Sequence, residues 1–409
     1  MGRYRIKVAV VATAAALLAA SAGTASAAPA KSDQAAERTA EGVSGAGTPV
    51  PLPDLGLAHR RSDGGINLFR LPLSELEEGY GRPQLVRSLT AKTGFLFDRT
   101  KVVAGDIADF TAGEDGTADH LLWARRADGG VSVAVVPGSS DTTPRSLFVL
   151  PVRTGWYYDN SRPMIGDVTG DGWDDLVVRN VTPGGDRLWL FESDGTRLLA
   201  PVQLTYTRGN GKLANEREYL GWMDGDAGAD LLTAKPGSGL TFRTQAPLVS
   251  SPTTATPFAG TSAAGWSYTN SRQLVGDVTG DGADDVVTVL RSGNGRLIVW
   301  THENCEPTES TPTPAVDCLD TPVIWQDLRA STQSYAASRH YLADTDADGL
   351  QDLVTVHATS TGAITVLRSL SDGTKFLPAQ TVANLRSSGG WKWAYSRENV
   401  ANTWGILGP

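Results

Sequence analysis

The chain is poor in sulfur, with two cysteines and three methionines in 409 residues. Two cysteines exclude a disulfide-built scaffold and any Cys-rich zinc module. They stand close together, as Cys305 and Cys318, in a Pro- and Thr-rich insertion. In an exported chain the expectation is a disulfide that clips this loop locally. Histidine is scarce too: His59, His120, His302, His340 and His357 recur at no common register. No G-x-S-x-G or H-E-x-x-H string accompanies them, so neither a nucleophile elbow nor a zincin helix is present. Positive charge is in deficit, the net charge being -9. Nucleic acid, which calls for a clustered basic surface, is therefore excluded as the expected partner. Helical periodicity is missing, and so is any apolar run long enough for a membrane span.

The one apolar stretch lies at the start. Arg3, Arg5 and Lys7 precede a nearly apolar Val8 to Ala20, and Ala25-Ser26-Ala27 supplies a small-x-small cleavage signal. Residues 1–27 thus read as a secretory signal peptide, cleaved near Ala27, and the expected location is extracellular. Loss of those three cations takes the net charge from -9 to -12. Residues 28–50 are rich in Ala, Gly, Ser, Glu and Pro without periodicity and read as a flexible leader. A single domain, 51–409, remains.

What the chain does have is repetition. Gly155 to Arg179 and Gly265 to Val289 align without a gap at an offset of 110 residues, and both contain G-D-V-T-G-D-G-x-D-D. Asp167, Thr169, Asp171 and Asp175 fall at loop positions one, three, five and nine, with the Trp173 main chain at seven. The second copy has Asp277, Thr279, Asp281, Ala283 and Asp285; a third has Asp344, Asp346, Asp348, Leu350 and Asp352. Alternate oxygen ligands converging from a tight loop suit Ca²⁺ better than a softer ion. The competing reading is that Asp-Gly pairs make turns for conformational reasons alone. Three copies at one spacing favour calcium in a structural role, fastening the hairpin between two strands. Two copies are degraded: Asp224, Asp226 and Asp230 follow Trp222 in the first position, and Asp115 and Asp119 follow an insertion in which Asp106, Asp109 or Glu114 would substitute.

Between loops, short β-branched or aromatic runs separated by Gly/Asp turns predict four antiparallel strands per unit. Repetition of such a unit points to an all-β β-propeller. The chain begins partway through a unit, since Leu57 to Gly65 matches Leu122 to Gly130, and ends on Trp391 to Arg397, which matches the opening strands at Tyr158 to Arg162 and Tyr268 to Arg272. Joining the two ends completes one blade, giving six blades, or seven if one unit escapes the pattern.

The D-x-x-G-D-G-x-x-D loops resemble the FG-GAP and VCBS repeats of the integrin alpha-subunit propeller, of secreted bacterial proteins and of some fungal sugar-binding lectins. That resemblance implies a calcium-loop propeller over nearly the whole domain, often with seven blades, and sugar pockets between blades. Aromatic residues recur beside an arginine at the start of units: Trp156, Tyr158 and Arg162; Trp266, Tyr268 and Arg272; Tyr335 and Arg339; Trp391, Trp393 and Arg397. They would either stack on a sugar ring or pack one unit against the next. The leading expectation is a monomeric binding module for an extracellular glycan or a cell-surface or secreted protein. The alternatives are a polysaccharide hydrolase or lyase and a pure interaction scaffold; no catalytic residue is assigned.

Overall fold

The computed structural model describes residues 54–400 apart from 74–81, 108–118, 139–142, 183–184, 208–215, 224–227, 237–239, 246–255, 262–265, 268, 305–318, 330 and 332. The signal and leader segments lie outside the described residues, as do Cys305, Cys318, Tyr268, Asp109, Glu114, Asp115, Asp224 and Asp226. The described chain is all-β, with 3₁₀ turns as its only helical segments, and no helix in it is long and apolar enough to cross a membrane.

Strands β1 (Asp54–Arg60), β2 (Ile66–Pro72) and β3 (Gln84–Leu89) are followed by β4 (Thr100–Gly105), β5 (Asp119–Arg125), β6 (Val131–Val136) and β7 (Arg145–Leu150). Next come β8 (Ser161–Gly166), β9 (Asp175–Thr182), β10 (Gly185–Phe191) and β11 (Val202–Thr207), then β12 (Arg217–Gly221), β13 (Asp230–Pro236), β14 (Leu240–Gln245) and β15 (Thr256–Thr261). The chain continues through β16 (Ser271–Gly276), β17 (Asp285–Arg291), β18 (Leu297–His302) and β19 (Val323–Leu328), and ends with β20 (Ser338–Ala343), β21 (Asp352–Ala358), β22 (Ile364–Ser369), β23 (Gln380–Leu385) and β24 (Ser396–Val400). They pair as six four-stranded antiparallel sheets. Five sheets use four consecutive strands, and the sixth has the order β24-β1-β2-β3. In that sheet Leu55 faces Val400 and His59 faces Ser396, so the two ends of the described chain share one sheet.

The first strands touch in a closed circuit, β4 to β8, β12, β16, β20, β24 and back to β4. This is a β-propeller. Its apolar core is divided into six layers, each formed between two successive sheets; one joins Trp123 and Val133 to Leu176 and Phe191, and another joins Ile66 and Leu68 to Leu122 and Val136. Burial falls from axis to rim. Strand β5 buries all but its last residue, because both faces of the sheet are covered, whereas β3 and β7 are largely open to solvent. This explains why the second strands read as continuous apolar runs and not as strict alternation. Every sheet shifts register between its third and fourth strands, as at Leu68/Phe69, Leu188/Trp189 and Val299/Trp300. The extra residue twists the exposed edge, which discourages edge-to-edge pairing.

Candidate functional site

The acidic loops follow directly on the first strands. In the first, Asp167 accepts N–H bonds from Gly170 (2.7 Å) and Gly172 (2.8 Å), and Asp175 accepts those of Val168 and Thr169 (both 3.1 Å). The second repeats this: Asp277 with Gly280 (2.6 Å) and Gly282 (3.0 Å), Asp285 with Val278 (3.0 Å) and Thr279 (3.2 Å). Asp171, Asp281 and Asp348 each accept the N–H of position seven, Trp173, Ala283 and Leu350. The ninth aspartate is buried and also takes the N–H that follows the third strand, from Ser193, Asn304 or Ser371. In the degraded loops Asp119 keeps the bond that follows the third strand, from Gly138, and Asp230 keeps the loop bond, from Met223. That carboxylate therefore shapes the hairpin even where the first position of the acidic set is replaced or displaced.

The third loop differs from the first two. Carboxylate oxygens of Asp344, Asp346 and Asp348 lie within 4.8 Å of one another, and no other trio of potential ligand groups does so among the described residues. Asp344 Oδ1 is buried without a hydrogen-bond partner. An all-oxygen set with an unsatisfied carboxylate oxygen is the chemistry of a hard cation. Burial, aided by neighbouring loop carboxylates, pushes Asp175 up to about 8, Asp285 up to about 7 and Asp352 up to about 6. A cation beside them would favour the ionised forms. The third loop also carries strain. Ala347 has φ 60° where the other loops have Gly170 and Gly280, at 73° and 84°. Replacing Ala347 by Gly should therefore stabilise the fold by about 1 kcal/mol, the usual size of the side-chain penalty in that region. An unchanged urea midpoint would show that the loop relaxes without cost.

The doubled aspartates serve two sheets at once. Asp175 and Asp285 hold their own loops, whereas Asp174 and Asp284 reach the preceding unit. Asp174 N–H donates to Asp106 O and its carboxylate accepts Asp106 N–H, both at 2.8 Å; Asp284 forms the same pair with Trp222, also at 2.8 Å. Gly105 permits this approach, since a Cβ there would stand 2.6 Å from Asp174 Oδ2. The carboxylate pairs that an acid/base reading would use are thus engaged in tying the ring together.

The aromatic-arginine sets are brought together across units and not within them. Tyr158 lies under Lys101, Tyr335 under Arg272, Trp393 under Arg339 and Phe97 under Arg397, at 4.7, 4.4, 4.0 and 4.4 Å from ring centre to cation. In each pair the cation comes from the preceding sheet. The N–H groups of Tyr158, Tyr335, Trp393 and Phe97 dock on the turn glycines of that sheet, Gly129, Gly295, Gly362 and Gly64. The within-unit pairing of Tyr158 with Arg162 is corrected accordingly: alternate residues of a strand face opposite neighbours, so Arg162 points forward to β12.

Those four cations, with Arg162 and Arg217, form a ladder around the ring. Lys101 donates to Ser161 O, Arg162 to Glu216 O, Arg217 to Ser271 O, Arg272 to Ser338 O, Arg339 to Ser396 O and Arg397 to Thr100 O, which closes the circle. Sequence reading missed Lys101 because the residue type changes, and Arg217 because its unit lacks the Tyr-x-x-Ser-Arg context.

A second aromatic arrangement remains partly open to solvent. Trp156 and Trp266 are only 5% and 4% exposed, but each supports a half-exposed partner: Trp156 meets Trp189 at 5.3 Å and Trp266 meets Trp300 at 5.7 Å between ring centres. Trp391 meets Phe69 at 4.8 Å in the same way. Trp189, Trp300 and Phe69 occupy one register on the third strands, opposite Val178, Thr288 and Leu57. The intervening sheets hold Ala134, Arg243 and Leu367 there. The offset of 110 residues concealed this equivalence, because Trp189 and Trp300 are 111 apart, one residue being added in the turn before β18.

No protein-family model matches the chain, and no curated protein matches it. Among solved structures it is similar to a lectin of Agrocybe aegerita described for specific recognition of non-reducing terminal N-acetylglucosamine, at TM-score 0.53 and 17% identity over 86% of each chain. The likeness is one of fold. It is also similar to a triple-arginine mutant of AofleA from Arthrobotrys oligospora, at TM-score 0.48 and 8% identity over 88% of this chain and 93% of that one.

Proposed function

We propose that the protein is a secreted, calcium-stabilised β-propeller of six blades, one per sheet, that binds extracellular glycan through the aromatic pairs of alternate sheets. The supporting observation is the set Trp156/Trp189, Trp266/Trp300 and Trp391/Phe69, in which a supported ring leaves part of its surface to solvent. Such a ring stacks on the apolar face of a pyranose at little conformational cost. The indole N–H groups of Trp189 and Trp300 are buried without an acceptor, so what these rings leave to solvent is carbon surface. The Agrocybe aegerita lectin makes terminal N-acetylglucosamine the first sugar to test. Glycan-array binding followed by calorimetry with the free sugar should show that Trp189→Ala and Trp300→Ala each lower affinity or stoichiometry, a lost site costing on the order of tenfold. Undiminished binding by the double variant would misplace the site. Capture of a secreted protein in place of any sugar would favour the scaffold.

Calcium belongs to the same reading, with the loop at Asp344 as the best-fitted site and the loops at Asp167 and Asp277 as further candidates. Asp344, Asp346 and Asp348 would hold the ion, with the Leu350 main chain and Asp352 completing the set that the spacing suggests. An ion that binds only the folded chain adds about 2.7 kcal/mol at a hundredfold excess over its Kd. Thermal melts with calcium and with a chelator should therefore differ by several degrees. Asp348→Ala should remove more of that difference than Asp171→Ala, and equal losses would contradict the ranking.

A further inference from the structure

The six junctions closed by the cation ladder are not electrically equivalent. Each cation, near the start of a first strand, reaches forward, and the residue after the next cation lies back toward it. At two junctions that residue is a carboxylate: Glu218 receives Arg162 and Glu398 receives Arg339. At a third it is the amide of Gln273, 3.4 Å from Arg217. At the other three the register supplies no anion: Pro163 opposite Lys101, His340 opposite Arg272 and Val102 opposite Arg397.

Lys101 and Arg397 stand on consecutive junctions. Arg397 donates to the carbonyl of Thr100, the residue preceding Lys101. Both are half-buried, and neither has a carboxylate within ion-pair distance among the described residues. A carbonyl satisfies hydrogen bonds but cancels no net charge. Asp98 and Asp159 act on Arg397 and Lys101 from a distance while pairing directly with Arg60 at 3.3 Å and Arg125 at 3.1 Å. Lys101 feels this, its amine being pushed down to about 8 by burial and by the charge of Arg162, against the opposing pull of Asp159, with Arg397 adding to the fall. The two cations stand on β4 and β24, first strands that touch in the closed circuit.

We propose that the arc formed by Arg397 and Lys101 is an oxyanion site on the propeller axis, separate from the aromatic pairs, that takes a carboxylate, sulfate or phosphate group. Two neighbouring cations, one a planar guanidinium, match the charge and the multiple acceptors of such a group. Glu218 and Glu398 perform the same neutralisation internally at their own junctions, so the ring contains its own controls.

The test measures thermal stability of the whole protein against sodium sulfate, sodium phosphate and sodium glucuronate, with chloride holding ionic strength constant. The wild type should show a saturable rise in melting temperature with at least one of them. Val102→Glu installs the carboxylate that the Glu398 junction already has, and Lys101→Gln removes one charge while keeping a donor for Ser161 O. Each should weaken the response about tenfold or more, whereas Lys101→Arg should retain it. Should Val102→Glu not fold, the pair Lys101→Gln and Lys101→Arg decides alone. Tighter binding of glucuronate marks the carboxylate of an acidic sugar as the natural ligand, and tighter binding of sulfate or phosphate marks a free anion. No saturable response to any of the three, or an equal response in Lys101→Gln and wild type, overturns the assignment. Neither result depends on whether neutral sugars bind at Trp189 and Trp300.

Discussion

A chain cut before Trp391 should fail to unfold cooperatively and should aggregate. The cut removes β24, which pairs with β1 from Leu55 to His59 and otherwise leaves that strand as an open edge. It also removes Glu398, the buried partner of Arg339, and the Glu398 carbonyl that accepts the Tyr341 hydroxyl at 3.1 Å. The ladder then lacks its closing bond from Arg397 to Thr100, and Trp391 no longer packs on Phe69 and His59. A whole domain is stable by only about 5–15 kcal/mol, so the loss of one strand from both adjoining layers exceeds what the remainder can absorb. Size-exclusion chromatography and urea unfolding of the truncated chain check this. A monomer whose unfolding midpoint matches the full chain would show that the ring does not depend on its closure.

Arg179→Met should be the most damaging single replacement. Arg179 is buried between the third and fourth sheets, where it pairs with Asp186, Glu216 and Glu218, the last of these 1% exposed. Without the guanidinium, the buried Glu218 keeps only Arg162, and the partly exposed Asp186 and Glu216 lose their shared partner. Leaving a buried charge unpaired costs about 3–5 kcal/mol. Replacing Glu218 by Met at the same time should return part of that loss, because two coupled charges are not additive. If the double variant were as unstable as the sum of the singles, the network would not be acting as a unit.

Much of this was legible in the sequence, and the rest was hidden for definable reasons. The loops repeat because their geometry is fixed by backbone N–H groups reaching Asp167, Asp175, Asp277 and Asp285, so few substitutions survive there. The matching of Trp391 to Arg397 with other opening strands foretold that the chain ends share a sheet, as the pairing of β1 with β24 shows. The sequence did not show that Tyr158 and Tyr335 belong with Lys101 and Arg272, since the side-chain direction that makes those pairs depends on the strand pleat and the neighbouring sheet. Nor did it separate the third acidic loop from the first two. Gathering of Asp344, Asp346 and Asp348 is a matter of side-chain placement that identical spacing does not reveal.

The pairing of Leu55 with Val400 has a mechanical consequence, because it brings both ends of the described chain to one point of the same antiparallel ladder. Tension applied between those ends would load the hydrogen bonds one after another, as in opening a zip, and the bonds would part under a small force. Tension entering at one end and leaving through a ligand on the ring would miss that seam. A protein anchored to a surface by a single terminus would hold its load, whereas one stretched between two anchors would come apart.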